Sequence, residues 1–341
     1  MASTEGTGGI TNVGFTCYAN AVIQAFRQYH NVETLFREGN YNTILKDKCK
    51  YNELTKQFAN MIQTLSSIQS NSSIRPMGFW ASFSEAVEHS GFEHLSSRQP
   101  HDAHEFLMFI LDALHESLSR TVYMNITKCD LKTERQKSHQ KSLEAWKQHF
   151  EKQSSPFVDM FFGLFHIQVV CSECKNVSHK FETFNTLKGI IPEDINTPSL
   201  VQCLEGELNN ETIEGYECDH CKPRKTSASR KTRVWKLPQN LIIVLKRFTY
   251  DGRKINKRIE PVNSIVNLQS LYSELSPHKK EPNYTTLSIV DHHGSASGGH
   301  YTAQGLHDSE HKWFVYDDQS VYSIDNPNYG ENTYILFMTK L

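Results

Sequence analysis

No long apolar run occurs anywhere in this chain of 341 residues. The longest purely aliphatic stretch is Leu241 to Leu245, far short of the roughly 20 residues that a helix needs to cross a bilayer. The opening MASTEGTGGITNVG holds neither a basic segment nor an apolar one, so no secretory signal is expected. On that reading the five Asn-x-Ser/Thr triplets at Asn71, Asn125, Asn176, Asn210 and Asn283 are chance. An excess of one charge is missing too. The formal net charge is −2, which predicts neither a nucleic-acid partner nor an acidic-membrane partner. Internal repeats are absent. The eight cysteines are therefore expected in a reducing compartment, cytoplasmic or nuclear, where thiols serve metals or catalysis rather than a disulfide framework.

What remains is the composition of an ordinary globular protein, 38% hydrophobic and 22% charged. The length fits one large domain or two smaller ones. Apolar residues recur at helical spacing over 102–119 (Phe106, Leu107, Ile110, Leu111, Leu114), and 17–29 also reads as a helix. Residues 128–153 are highly charged with little apolar face beyond Trp146 and Phe150, the pattern of a solvated helix or an insertion. From 157 onward the pattern changes. FGLFHIQVVC, LIIVLKRF, YTTLSIVDH, HKWFVYDD and TYILFM are short β-rich runs broken by Gly, Pro, Asn and Asp. Helices first and strands later predict an α+β fold. The run 222–236, KPRKTSASRKTRVWK, has seven Lys/Arg and no acid; its plainer reading is a solvated loop and strand.

Two C-x-x-C knuckles, Cys171/Cys174 and Cys218/Cys221, stand 43 residues apart. Four thiolates on two tight turns are the ligand set of a closed structural zinc site, and a redox pair would not explain both. The separation calls for a subdomain inserted between them. HDAHE at 101–105 lacks the glutamate directly after the first histidine that a zinc-protease helix needs.

Cys17 stands just before a helical run, where the helix dipole favours a thiolate. Alone it reads equally well as a small buried apolar residue. His300 follows Gly298 and Gly299, and Asp317 comes seventeen residues later. Taken alone, His300 reads as a turn residue. Together, Cys17, His300 and Asp317 supply a nucleophile, a base and a group to orient the base.

These residues carry a resemblance. From about residue 9 to 339 the chain resembles the catalytic domain of a ubiquitin-specific protease. GGITNVGFTCYANAVIQAF is similar to that family's cysteine box, and RQPHDAHEFLMFILD to its glutamine-aspartate box, with His101 where a second glutamine is usual. LPQNLIIVLKRF, YTTLSIVDHHGSASGGHYTA, WFVYDDQSV and TYILFM follow in the family's order. The resemblance implies a papain-like single domain over 1–341: a helical thumb (about 9–155), zinc-bound β fingers (about 156–245) and a β-rich palm (about 246–341), with some exchange between them. It implies ubiquitin and ubiquitinated proteins as partners, one zinc per chain and no organic cofactor, and leaves room for an activating protein. By the same resemblance Cys17 is the nucleophile, His300 the base and Asp317 its orienter, supported by Asp318. Asp102, Glu105, His292 and Tyr301 fall on positions that receive the ubiquitin tail. One departure stands out. Phe15 replaces an asparagine that the family places two residues before the cysteine as oxyanion donor, which predicts reduced turnover unless Asn12 or a water substitutes. The other expectation for Phe15 is that it packs into the thumb. Two rivals keep the fold: a ubiquitin-binding scaffold without turnover, and the same chemistry on another ubiquitin-like modifier.

Overall fold

Helices fill the first half of the molecule and strands the second. The computed structural model describes residues 5–127, 130–208, 210–262, 265–280, 282–307 and 311–341; Cys129 lies outside them. A short parallel pair, β1 (Gly9–Ile10) and β2 (Ser73–Ile74), ties the start of the chain to the helices. These are α1 (Cys17–Phe26), α2 (His30–Arg37), α3 (Asn52–Ser67), α4 (Met77–Val87) and α5 (Ala103–Ser117). Every residue of α1 is buried. Two of its polar members donate to the strap beside it: Asn20 to Ile10 O at 3.3 Å and Gln24 to Gly8 O at 2.8 Å.

The charged 128–153 stretch forms α6 (Glu134–Phe150), closed by a Thr133/Gln136 capping box. It is more than a solvated helix. Phe150 is buried, Trp146 packs against it at a tilt with ring centroids 4.6 Å apart, and the helix lies along a sheet. After α7 (Pro156–Phe161) come β3 (Gly163–Cys171), β4 (Val177–Phe184), β5 (Leu187–Gly189), α8 (Leu200–Glu207), β6 (Asn210–Tyr216), β7 (Thr226–Lys236) and β8 (Asn240–Leu245). The chain ends with β9 (Val266–Asn267), β10 (Asn283–Ser295), β11 (Gly298–His307), β12 (Lys312–Asp317), β13 (Ser320–Ile324) and β14 (Thr333–Lys340).

A four-stranded antiparallel sheet, β4-β3-β7-β6, makes the fingers. An eight-stranded sheet makes the palm, in the order β13-β12-β11-β10-β14-β8-β5 with β9 on β10. The 156–245 range therefore splits, because β5 and β8 belong to the palm sheet. The aliphatic run of β8 is explained by that place: with both sheet faces covered, a strand is apolar on both sides. Ile242 and Val244 enter the core shared with the helices, while Leu241, Ile243 and Leu245 enter a second core with α8. The same alternation divides β10, β11 and β14. Tyr301 and Ala303 join the thumb-side core, so by the period of two His300, Thr302 and Gln304 belong to the outer face.

Candidate active site

Cys17 is the first residue of α1. The loop before it is held by one side chain. Asn12 Oδ1 accepts from the N–H of Gly14 (3.0 Å) and of Thr16 (3.2 Å) and from the Thr16 hydroxyl (3.3 Å). Gly14 (φ 120°) and Phe15 (φ 56°) both take left-handed backbone. Phe15 is 56% exposed, so it does not pack into the thumb. On its other side Asn12 Nδ2 donates to Asp318 Oδ2 at 2.9 Å, while Asn20 Nδ2 donates to Asp318 Oδ1 at 2.8 Å. The Ile10 N–H bonds the Asp318 carbonyl at 2.9 Å. Asp318 thus pins the loop and helix of Cys17 to the end of β12. Asn20 is a residue of the site that sequence reasoning passed over; the signal was an amide, like Gln24, inside a fully buried and largely apolar helix.

Burial pushes the Cys17 thiol up from its ordinary pKa, and the Asp318 carboxylate adds to the rise. The backbone N–H of Tyr301, and those of Tyr18 and Cys17 itself, pull it down. The expected helix-dipole benefit is thus opposed by desolvation, and the thiolate needs a cation beside it. His300 Nε2 bonds Asp317 Oδ1 at 2.6 Å, which leaves Nδ1 as the nitrogen free to serve sulfur. Among the described residues no hydrogen bond joins Cys17 to His300. β12 pairs with β11 only from Ala303 onward, so the edge of β11 at His300–Thr302 is open, and Tyr301, the residue after His300, lines one cavity with Cys17.

A cavity of about 160 Å³ opens on Cys17, lined also by His101, Asp102, His292, Gly298, Gly299 and Tyr301. Its two glycines differ in role. A Cβ on Gly299 would come within 2.5 Å of the His292 ring, whereas one on Gly298 would meet nothing within 4 Å. Close packing dictates the first, and open space surrounds the second. His292 stands between Tyr301 (4.6 Å) and Phe248 (5.1 Å). Burial holds it neutral, its pKa lowered to about 4, and its buried Nδ1 has no hydrogen-bond partner among the described residues. Asp102 is largely committed: it caps α5 through the N–H of His104 (2.6 Å) and Glu105 (3.3 Å), and accepts from Tyr334 OH at 2.8 Å. Glu105 is half exposed and paired with His94 at 3.0 Å. His101 and Tyr334 are further neighbours of the site that sequence reasoning did not name as such.

The four knuckle cysteines converge at the fingertips, their sulfurs all within 4.8 Å of one another. Cys171 and Cys221 sulfurs are 3.9 Å apart, and those of Cys174 and Cys218 3.5 Å. A tetrahedral zinc with Zn–S bonds of about 2.3 Å places sulfurs about 3.8 Å apart. The donor set and the spacing fit zinc. The basic run lies in the same subdomain and is largely neutralised there: Lys222 pairs with Asp219, Arg224 with Glu173, Lys225 with Glu217 and Arg230 with Glu211.

The family model described as "Ubiquitin carboxyl-terminal hydrolase" matches residues 8–338. Among curated proteins, "Ubiquitin carboxyl-terminal hydrolase Usp2" of Drosophila melanogaster is 28% identical over 98% of this chain and 35% of its own length. Human "Ubiquitin carboxyl-terminal hydrolase 2" is 24% identical over 98% of this chain and 55% of its own. The chain thus spans between a third and just over half of these relatives. Among solved structures, a SAGA DUB module of Ubp8, Sgf11, Sus1 and Sgf73 bound to monoubiquitin shares the fold, with TM-score 0.72 and 23% identity over 100% of this chain and 70% of that one. The same module bound to ubiquitin aldehyde gives TM-score 0.71 at 22% identity. The match over 8–338 shows that this chain belongs to the ubiquitin carboxyl-terminal hydrolase family.

Proposed function

We propose that this chain is a cysteine-type deubiquitinase, which hydrolyses the isopeptide bond between the C-terminal glycine of ubiquitin and a lysine. The observation that carries the reading is the His300–Asp317 pair, with Asp318 next to it bonded to the loop and the helix that carry the buried Cys17. His300 takes the Cys17 proton, and the thiolate attacks the glycine carbonyl. As the tetrahedral intermediate collapses, the C–N bond breaks, the C–S bond stays, and His300 returns the proton to the departing amine. Water, deprotonated by His300, then releases the glycine carboxylate and restores the thiol. Asp317 holds the imidazole on Nε2 and stabilises its cationic form. The oxyanion is met by the Cys17 N–H and by Asn12, whose amide is fixed by Asp318 and Thr16 and, among the described residues, keeps one N–H without an acceptor.

His292 and Tyr301, with Asp102 and Glu105 at the thumb side, receive the ubiquitin tail; Glu105, the more exposed carboxylate, meets its arginines. Cys171, Cys174, Cys218 and Cys221 hold one structural zinc per chain, which fixes the fingers and takes no part in the chemistry. An activating protein partner and a reducing compartment, cytoplasmic or nuclear, complete the reading. The structural neighbour supports the former by its assembly with other subunits.

Ubiquitin carrying a C-terminal electrophile should label the native chain, and Cys17→Ala should abolish labelling while Cys49→Ala and Cys203→Ala retain it. Labelling that survives Cys17→Ala at the native rate would overturn the assignment. The scaffold reading rests on Phe15. It predicts labelling without turnover of a ubiquitin C-terminal fluorogenic substrate. Probes built on other ubiquitin-like modifiers test the remaining rival.

A further inference from the structure

The catalytic pair faces a second cavity, on the other side of β11 from the tail cavity. Its volume is about 470 Å³, and its lining includes His300 and Asp317 with Asp291, His293, Thr302 and Tyr322. Tail and pair occupy opposite faces because His300 and Tyr301 are successive residues of one strand. The lining contains two carboxylates and no lysine or arginine. Its inner wall is ordered: Asp291 accepts from Gln304 at 2.6 Å, and His293 bonds the Thr302 hydroxyl at 3.1 Å and Asn332 at 3.1 Å. Its outer wall is Tyr322, on the edge strand β13 and 54% exposed.

From this geometry we propose that the 470 Å³ cavity is the acceptor-side subsite, which receives the lysine-bearing segment of the conjugated protein. The inference rests on the deubiquitinase reading. A base that returns its proton to the departing amine must lie within hydrogen-bond reach of that nitrogen, so the amine leaves on the His300 side. The scissile bond then crosses the open edge of β11, with the ubiquitin tail on the thumb side and the acceptor on the outer face. Two carboxylates in a lining without lysine or arginine favour a cationic product and basic neighbours around the lysine. Tyr322 offers an exposed ring against which the lysine's alkyl chain or a neighbouring side chain packs.

The test compares two reagents on intact protein. One is ubiquitin joined through its C-terminal carboxylate to the lysine of a short peptide, made with either basic or acidic flanking residues. The other is ubiquitin with a C-terminal electrophile and no acceptor. Tyr322→Ala should lower the ratio of kcat/KM on the peptide conjugate to the labelling rate about fivefold, the effect of losing one aromatic contact. Native protein should cleave the basic-flanked conjugate about two- to fivefold faster than the acidic one, and added salt should narrow the gap. The second arm needs no variant, so misfolding of Tyr322→Ala would not shelter the idea, and either preference alone retains the subsite. The proposal falls if the two peptides are cleaved alike and the Tyr322→Ala ratio stays within about twofold. Absence of labelling in the native chain would instead remove the deubiquitinase reading itself.

Discussion

Phe15 and Asn12 compete for one role, and the structure weighs them differently from the family pattern alone. Phe15 is exposed and sits at φ 56°, a backbone region that costs a bulky residue and suits asparagine. Asn12 is oriented by three accepted hydrogen bonds and by Asp318. Asn12→Asp keeps the shape and the acceptor oxygen, removes the donor and sets a carboxylate against Asp318 where the native amide donates at 2.9 Å. It should lower kcat by about 10²–10³, the cost of losing one oxyanion donor, with KM changed much less. Phe15→Asn relieves the backbone and adds an amide. If position 15 supplied the missing donor, kcat would rise about ten- to a hundredfold; with Asn12 in place the expected change is within about threefold, with a higher Tm. Steady-state kinetics on both variants decide between the two positions, and a large gain in Phe15→Asn would reassign the donor.

At the scale of elements, the fingers close on a junction where four cysteine sulfurs lie within 4.8 Å of one another. Cys171 ends β3, while Cys218 and Cys221 lie in the turn between β6 and β7. Because metal binding free energy is folding free energy for such a site, chelation or Cys218→Ser should lower Tm and open the β3–β7 region to protease before the palm. Zinc analysis should return one ion per chain; well-folded protein without zinc would sink the assignment. The elements also show what could be read in advance. Residues 17–29 and 102–119 became α1 (17–26) and α5 (103–117), and the five β-rich runs became β3, β8, β10, β12 and β14. Those segments carry their own periodicity. β11 does not: GGHYTAQGLH holds three glycines, which weaken a strand locally. They are demanded from elsewhere, since a Cβ on Gly299 would strike His292 and one on Gly305 would meet Gln28 at 2.9 Å. The splitting of 156–245 between two sheets was hidden for a similar reason, because pairing partners of β5 and β8 lie far away in sequence.

Across the whole molecule, the site lies where thumb and palm meet, and polar links hold them in register there. Asp102 with Tyr334 is one; Asp318 with Asn12 and Asn20 is another, and it touches the loop and helix of Cys17. The sequence showed Asp318 beside Asp317 but not which side chains it would reach, since both partners lie at the opposite end of the chain. Asp318 acts on Cys17 in two opposed ways. As an anchor it places the thiol; as an anion it raises the thiol's pKa. The two can be separated. Asp318→Ala removes both amide contacts, each a charge-assisted bond contributing about 1.5–3 kcal/mol. It should lower Tm and reduce kcat by up to about 10²-fold, as misplacement of a reacting group does. Asp318→Asn keeps one acceptor oxygen and removes the charge. A thiol whose pKa was held up by that anion then forms thiolate at lower pH, so the acid limb of the labelling–pH profile should move to lower pH even while kcat falls. Labelling profiles measured for the native chain and both variants, alongside Tm, read the two effects independently. An acid limb that stays put or moves upward in Asp318→Asn would show that the carboxylate's charge does not reach Cys17, and a native kcat in Asp318→Ala would show that the anchor is not what sets the thiol in place.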